Sequence, residues 1–291
     1  MKKFIDRSWR SKNECTMNNA AARAYFQFGR LVAASRTTRL PRALVRLFIL
    51  LIPTAASALV GPAREAPDLA PYVAVVLNRN GSSASFCTAT VIARNIVLTA
   101  AHCVTAPDDT RVFFRDAEGQ STMLDVTSIA LNPGYRPDAV RRRLVSIDLA
   151  LVRLAEPLPS AFSPVALPKF GPAAAAVGQM FRIAGFGVAD EGAGKTGGVL
   201  REGDLIASGP KSSILLWLAD PNREGLGACT GDSGAPIFAA AAPLLVAVAV
   251  WAKGENGHSC GALTQAVLIA PQRRWIDATL SAWGVTGSVT P

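Results

Sequence analysis

The chain is poor in aromatic residues, charged residues, cysteine and histidine. Aromatic residues make up 7% and charged residues 18% of the 291 positions, while hydrophobic residues make up 50%. A sizeable core can therefore form, and it must be packed largely from small side chains. There are five cysteines and two histidines, and no C-x-x-C pair occurs, so the sequence lacks a common ligand pattern of zinc sites.

The positive charge of the chain lies entirely in its first part. The net charge is +9 overall, yet residues 1–58 hold 11 Lys and Arg against 2 Asp and Glu, and residues 59–291 hold 19 of each sign. A basic excess that is absent from the main body offers no broad patch for phosphate groups. Nucleic-acid binding is therefore not expected.

Residues 1–58 are predicted to be a leader that contains a signal peptide. A long basic segment precedes a short apolar run at residues 47–52, and an A-x-A cleavage pattern follows at Ala56–Ala58. The run is too short for a membrane-spanning helix of about 20 residues. A start codon placed too far upstream would explain the long basic segment, and an uncleaved anchor is the remaining alternative. We expect a secreted or periplasmic protein that meets a membrane only if the leader stays uncleaved.

The rest of the chain is dominated by short runs that are typical of β-strands. Runs such as "YVAVVLNR", "SFCTATVIA" and "LLVAVAVWA" are separated by turn-forming residues, which indicates a sandwich or barrel. Residues 157–180 are rich in Pro and Ala and are predicted to cross between two halves. Apolar residues recur at helical spacing near the C-terminus, which predicts a final helix.

Three separated motifs supply the groups of a hydrolytic triad. His102 lies in "LTAAHC", Asp148 opens "DLALVRL", and Ser233 lies in "TGDSGAP". A serine hydroxyl is a weak nucleophile until a base removes its proton, so this order of base, acid and nucleophile is meaningful. The glycines around Ser233 would let the N–H groups of Gly231 and Ser233 face a developing oxyanion. Asp138, a competing acid, is predicted to be a solvated loop residue.

These motifs, with a looser match at "VWA", resemble the chymotrypsin/trypsin family of serine proteases, as a bacterial-type secreted member. The resemblance implies an all-β fold of two packed six-stranded antiparallel β-barrels with a C-terminal α-helix. It implies a peptidase domain over residues 59–291, with a first barrel at about 70–160, a second at about 178–268 and the helix at about 271–283. It also implies an endopeptidase that works through an acyl-enzyme.

The resemblance also selects a disulfide pairing. The four cysteines outside the leader allow three pairings, and the family pattern selects Cys87–Cys103 beside the base and Cys229–Cys260 beside the nucleophile. Each bridge would stabilise the fold by about 2–4 kcal/mol. Free buried thiols are the alternative that the sequence leaves open.

A structural ion pair is expected between Asp232 and a new N-terminus at Leu59. Cleavage after Ala58 would expose Leu59, Val60 and Gly61, which resembles the mature start of the family. An α-amino group has a pKa near 8, so it would be charged at neutral pH and could pair with buried Asp232. Export would then activate the enzyme without a separate propeptide step.

The resemblance places four residues around the primary substrate pocket: Gly227, Trp251, Ala252 and Gly261. The base residue, Gly227, carries no charge, so we expect cleavage after Leu, Phe, Tyr or Met in preference to Lys or Arg. Asp220 or Glu224 could supply a charge if the alignment were shifted. Val250 stands where the family usually has a serine that hydrogen-bonds the triad acid.

The expected partners are protein or peptide substrates and protein inhibitors. No cofactor and no metal are expected, and the protein is predicted to be a monomer. His258 lies in a polar, glycine-rich loop and is predicted to be exposed and non-catalytic. A binding protein with little catalysis and an esterase that uses the same triad are the alternative functions.

Overall fold

A computed structural model describes most of the chain after the leader. It covers residues 59–285 apart from 117, 143, 172–174, 194, 209–211 and 241–242. The predicted leader, residues 1–58, lies outside the described residues, so its signal peptide stays a prediction. Within the described part, no helix has the length and apolar character needed to cross a bilayer.

The described residues form thirteen β-strands and two α-helices. The strands are β1 (Arg64–Glu65), β2 (Val73–Asn80), β3 (Ser83–Ala93), β4 (Ile96–Thr99), β5 (Thr110–Arg115), β6 (Ser121–Leu131), β7 (Ala150–Leu154), β8 (Met180–Gly185), β9 (Arg201–Ala207), β10 (Leu215–Ala219), β11 (Pro236–Ala239), β12 (Leu245–Gly254) and β13 (Gly261–Leu268). The helices are α1 (Ala139–Arg142) and α2 (Arg273–Ala282).

Twelve of these strands close into two antiparallel barrels. The first barrel has the order β2-β3-β4-β7-β6-β5. The second runs β9-β10-β13-β12-β11-β8 and closes because β8 also pairs with β9, while β1 adds to the outer edge of β9. The predicted fold of two six-stranded barrels with a C-terminal α-helix is confirmed. The short helix α1, in the loop before Asp148, was not predicted.

Each barrel is filled by the apolar residues of its strands. In the first barrel Val76, Ile96 and Leu151 have no exposed surface, and in the second Phe181 and Ile183 are equally buried. Burial of one such side chain contributes about 1.5–3 kcal/mol. Because aromatic residues are scarce, alanine and β-branched residues fill much of the core, and they fit the narrow space inside a six-stranded barrel.

The C-terminal helix α2 docks through two of its predicted apolar positions. Ile276 and Leu280 are buried in the cluster that holds the first-barrel core. The Arg273 guanidinium donates a hydrogen bond to the Pro168 carbonyl at 2.8 Å. The helix is therefore tied to the segment that crosses between the barrels.

Candidate active site

His102 and Asp148 lie at the same end of two paired strands. His102 belongs to a 3-10 turn, Ala101–Cys103, soon after β4, and Asp148 lies two residues before β7. Thr99 of β4 pairs with Ala150 of β7. Strand pairing in the first barrel therefore brings together two residues that are 46 positions apart in sequence.

One carboxylate holds His102 at two points. Oδ2 of Asp148 lies 2.7 Å from Nδ1 of the ring, and Oδ1 accepts a hydrogen bond from the His102 backbone N–H at 2.9 Å. A carboxylate at Nδ1 favours a proton there, which leaves Nε2 able to accept one. The His102 side chain is 39% exposed and Asp148 only 18%, so the ring faces solvent while its acid is largely covered.

Ser233 is anchored to the first barrel beside the turn that carries His102. Its carbonyl accepts a hydrogen bond from the Thr88 N–H at 2.9 Å, and the disulfide sulfur of Cys103 lies 3.9 Å from the same oxygen. Cys103 directly follows His102, so the candidate nucleophile and base lie in adjoining segments. Among the described residues, the Ser233 hydroxyl makes no hydrogen bond to the ring, and such bonds often tighten only when substrate binds.

The backbone N–H groups of Gly231 and Ser233 are both free to bind a substrate. Among the residues that the structure describes, neither has a hydrogen-bond acceptor. The N–H of Asp232 between them donates to the Cys229 carbonyl at 3.0 Å. Gly231 has a φ of +96°, and a Cβ there would overlap the Phe86 ring, so a larger residue does not fit. Two unused donors on one tight turn match the requirement of an oxyanion site.

Asp232 is fully buried and points away from the candidate catalytic groups. Its Oδ1 accepts the Gly187 N–H at 2.8 Å and its Oδ2 accepts the Cys229 N–H at 2.9 Å. Burial raises the pKa of this carboxyl to about 7, although the two hydrogen bonds oppose the shift. The carboxylate is thus held by the nucleophile loop and by the loop at Gly187, and no described basic side chain forms an ion pair with it.

Leu59 occupies a buried position at the start of the described chain. Its side chain has no exposed surface, and Val60 exchanges two hydrogen bonds with Gly227, each 3.2 Å long. In this uncut chain the Leu59 nitrogen belongs to a peptide bond, so it cannot form the expected ion pair with Asp232. The segment nevertheless lies along the pocket residue Gly227.

The predicted pocket residues differ in exposure. Trp251 is exposed and Ala252 is half-buried on β12, whereas Gly227 is buried. Ala252 pairs across the sheet with Thr264, while Gly261 pairs with Gly254 at the far end of the strands. The residue opposite Ala252 is therefore Thr264. Gly261 lies against Gly227, since a Cβ on Gly227 would meet the Gly261 Cα at 3.1 Å, and its place in the pocket wall stays a prediction.

Thr264 lies beside Gly227, the predicted base of the pocket. Its side chain is buried, its hydroxyl accepts the Ala228 N–H at 3.0 Å, and a Cβ on Gly227 would lie 3.4 Å from that hydroxyl. Gly227 and Ala228 are buried as well. A nearby groove of about 1100 Å³ is lined by Gly261 but not by Gly227, Trp251 or Ala252. Gly227, Ala228 and Thr264 themselves carry no charge.

Asp220, Glu224 and the second histidine, His258, line the groove that Gly261 borders. The Asp220 carboxylate accepts N–H groups of Asn222, Glu224 and Leu226 at 2.6–3.1 Å, so it organises its own loop. His258 is exposed, and its Nδ1 lies 3.8 Å from the Glu191 carboxylate. The described hydrogen bonds of the Asp220 carboxylate thus come from backbone N–H groups of its own loop.

Both selected disulfides are present and flank the site. Cys87–Cys103 and Cys229–Cys260 have Cα separations of 6.1 and 5.0 Å. Among the described residues, one group of side chains of the types that can bind metals lies close together, namely Cys87, His102 and Cys103. Because the two sulfurs are joined to each other, they do not offer the thiolates that a metal site needs.

Sequence reasoning missed three residues around the site. Thr88 hydrogen-bonds the nucleophile loop, Thr264 lies beside Gly227, and Tyr135 lies near Asp148. The pKa of the Tyr135 phenol is raised, first by burial and second by the charge of Asp148. None of these residues stands out in a single sequence, because each acts through cross-strand or inter-barrel contacts.

Comparison with protein families identifies the chain. The family model described as Trypsin matches residues 59–276, which is most of the chain and nearly all of the described part. Coagulation factor XII of Sus scrofa is 32% identical over 206 residues, which are 62% of this chain and 32% of that protein. Cathepsin G of Mus musculus is 26% identical over 258 residues, 82% of this chain and 92% of its own length.

Solved structures show the same fold. Human heparin binding protein is 23% identical, covers 80% of this chain and all of its own, and has a TM-score of 0.62. The scabies mite inactivated protease paralogue is 19% identical, covers 76% and 99% of the two chains, and has a TM-score of 0.61. This chain spans about a third of the length of factor XII, 32%, so only its protease region is comparable.

The chain belongs to the trypsin family of serine proteases. It is a serine-type endopeptidase, a hydrolase of peptide bonds, whose family implies protein substrates and protein inhibitors as partners. The relatives named above are animal proteins, so the narrower expectation of a bacterial-type member has no support. The two disulfides agree with an oxidising location.

Proposed function

We propose that Ser233, His102 and Asp148 form the catalytic triad of an exported endopeptidase. The observation that carries this proposal is the double attachment of His102 to Asp148, at 2.7 Å through the ring and 2.9 Å through the backbone. It leaves one ring nitrogen for proton transfer. The Ser233 carbonyl lies 3.9 Å from Sγ of Cys103, the residue that follows His102.

In the proposed mechanism, the Ser233 hydroxyl attacks the carbonyl carbon of the scissile bond while His102 Nε2 takes its proton. The carbonyl oxygen becomes negative and accepts hydrogen bonds from the N–H groups of Gly231 and Ser233. His102 then gives the proton to the leaving amine, and an acyl-enzyme remains on Ser233. A water molecule repeats the sequence and releases the acid product. Asp148 stabilises the charged ring throughout.

The proposed substrate preference is apolar and uncharged at the residue before the scissile bond. No carboxylate stands at the pocket floor formed by Gly227, Ala228 and Thr264, so a basic substrate residue would lose its solvation without gaining a counter-charge. Thr264 also limits depth. We therefore narrow the expected side chains toward Ala, Val and Leu, with Phe and Tyr less favoured than the sequence suggested.

A peptide library tests this preference directly. The form of the protein that begins at Leu59 should cleave after small apolar residues, and Thr264→Gly should raise kcat/KM for Phe at that position by about 10-fold, a typical effect of pocket volume. Thr264→Ser, which keeps the hydroxyl that accepts the Ala228 N–H, is the matched control and should shift the preference less. Preference for Lys or Arg in the wild type would refute the proposed pocket.

The same proposal includes export, signal-peptide cleavage after Ala58 and activation by the new N-terminus. The α-amino group of Leu59 would enter the buried region near Asp232 and supply the positive charge that this carboxyl lacks in the uncut chain. The buried Leu59 side chain and the Val60–Gly227 pairing support this assignment. The exported enzyme would be a monomer and would have no membrane contact once the leader is removed.

The pKa of Asp232 gives the uncut form a distinctive pH dependence. Its folded pKa of about 7 exceeds the ordinary value of 3.8, so between those values the folded state binds more protons than the unfolded state. The free energy of unfolding should therefore fall as pH rises from 4 to 7, by up to about 4 kcal/mol. Pairing with the Leu59 amine would lower the pKa of Asp232, and the free energy of unfolding would then no longer fall between pH 4 and 7. The paired form would instead lose stability above about pH 8, because the amine loses its charge there.

Urea denaturation from pH 4 to pH 9 measures this difference. The form that begins at Leu59 is compared with one that begins a residue earlier, at Ala58, whose amine is displaced. Asp232→Asn should flatten the slope of the Ala58 form between pH 4 and 7. Identical profiles for the two starting points would contradict the proposed ion pair.

A further inference from the structure

Thr88 connects the first barrel to the nucleophile loop of the second. It lies on β3, directly after Cys87, and its side chain has no exposed surface. Its N–H donates to the Ser233 carbonyl at 2.9 Å, and its hydroxyl donates to the Gly231 carbonyl at 2.9 Å. The same hydroxyl accepts the Phe186 N–H at 3.0 Å. Three hydrogen bonds thus run from one residue of the first barrel to the second.

These bonds hold both ends of the segment that carries the unused N–H donors. Gly231 and Ser233 each offer one of those donors, and each has its carbonyl bonded to Thr88. Rotation of this segment would break a buried hydrogen bond and leave a buried polar group without a partner, which is costly. The donors are therefore kept in one arrangement before substrate arrives.

The same residue is also fixed relative to the base. Its neighbour Cys87 is bonded to Cys103, which directly follows His102. On the other side, the Thr99 hydroxyl donates to the Thr88 carbonyl at 2.8 Å. Every polar group of Thr88 is used, and the base and the nucleophile loop are attached to adjacent residues of one strand.

We propose that Thr88 is a positioning residue that sets the oxyanion segment against the base through its buried hydroxyl. This inference rests on the proposed triad and deepens it. Thr88 touches no reacting atom, so its effect should appear in the rate of the chemical step and not in substrate affinity. The hydroxyl matters because it is both a donor to Gly231 and an acceptor from Phe186.

The strand itself provides a matched control, Thr90. It lies two positions further along β3 and has no exposed surface, and among the described residues its hydroxyl has no hydrogen-bond partner. Replacing either threonine with valine keeps the shape and removes the hydroxyl. The two variants therefore differ in the bonds lost and not in the kind of substitution.

The experiment measures kcat and KM on a peptide substrate, with active sites counted by a fluorophosphonate probe. Thr88→Val should lower kcat per titrated site by about 10–100-fold, less than the 10²–10³-fold typical of losing an oxyanion donor itself, with KM changed less than about 3-fold. Thr88→Ser should restore kcat to within about 3-fold of the wild type. Thr90→Val should leave kcat unchanged.

Several outcomes would overturn the proposal. Thr88→Val with wild-type kcat per titrated site, even at lower thermal stability, would reduce Thr88 to a purely structural role. If the valine variant does not fold, Thr88→Ala is compared with Thr88→Ser, which keeps the hydroxyl. Equal kcat in these two variants would show that the hydroxyl does not affect the reaction. Turnover that is unaffected by Ser233→Ala would instead sink the proposed function, and the positioning role would fall with it.

Discussion

Replacing His102 with alanine should lower kcat for peptide hydrolysis by about a million-fold, as should Ser233→Ala, because neither residue can work without the other. The hydroxyl is a weak nucleophile once no base removes its proton, and the base has no proton to remove once the hydroxyl is gone. The double variant should therefore be no slower than either single variant. Residual turnover above the uncatalysed rate would come from substrate binding and the oxyanion donors.

The second histidine of the chain supplies the control for this prediction. His258→Ala removes an exposed ring whose nearest acid lies 3.8 Å away, and it should leave kcat within about twofold of the wild type. Rates are compared on peptide substrate with stability checked by thermal unfolding. If the kcat of the double variant were lowered by the product of the two single effects, His102 and Ser233 would act independently, which would contradict their cooperation.

Replacing Asp148 with asparagine should lower kcat by about ten-thousand-fold while the fold persists. An asparagine side chain has one acceptor oxygen, whereas Asp148 now accepts bonds from both the ring and the backbone of His102. If the amide NH2 faces Nδ1, the ring proton moves to Nε2, and the base can no longer take a proton from Ser233. The charged ring that forms during catalysis would also lose its counter-charge.

Asp138→Asn is the matched control for the acid. Asp138 lies in the same loop region and pairs with Arg142 at 2.9 Å, an exposed contact of little energetic weight. Its substitution should change kcat less than about threefold. If Asp148→Asn kept more than a tenth of the wild-type kcat, the orienting acid would have to be another group.

The triad candidates could be proposed from sequence because each lies in a short local motif. The glycines next to Ser233 and the unusual position of His102 among so few histidines are visible without any fold. The two-barrel architecture followed from resemblance and from evenly spaced strand-like runs. In the confirmed fold, the pairing of β4 with β7 brings the His102 and Asp148 segments together.

Residues that act through tertiary contacts could not be found in this way. Thr88 looks like an ordinary strand threonine until the second barrel is placed against it, and Thr90 shows that position and residue type alone do not decide a role. Thr264 could not be found because only strand register places it opposite Ala252, and a single sequence does not give that register. Val250 offers no hydroxyl to the triad acid, and among the described residues the Asp148 carboxylate accepts both of its hydrogen bonds from His102.

The most direct test of the account is to locate the adduct of a fluorophosphonate by mass spectrometry on the form that begins at Leu59. We expect one equivalent, attached to Ser233, with labelling slowed strongly in His102→Ala and unchanged in His258→Ala. An adduct on another residue, or labelling at the wild-type rate without His102, would contradict the proposed cooperation of base and nucleophile.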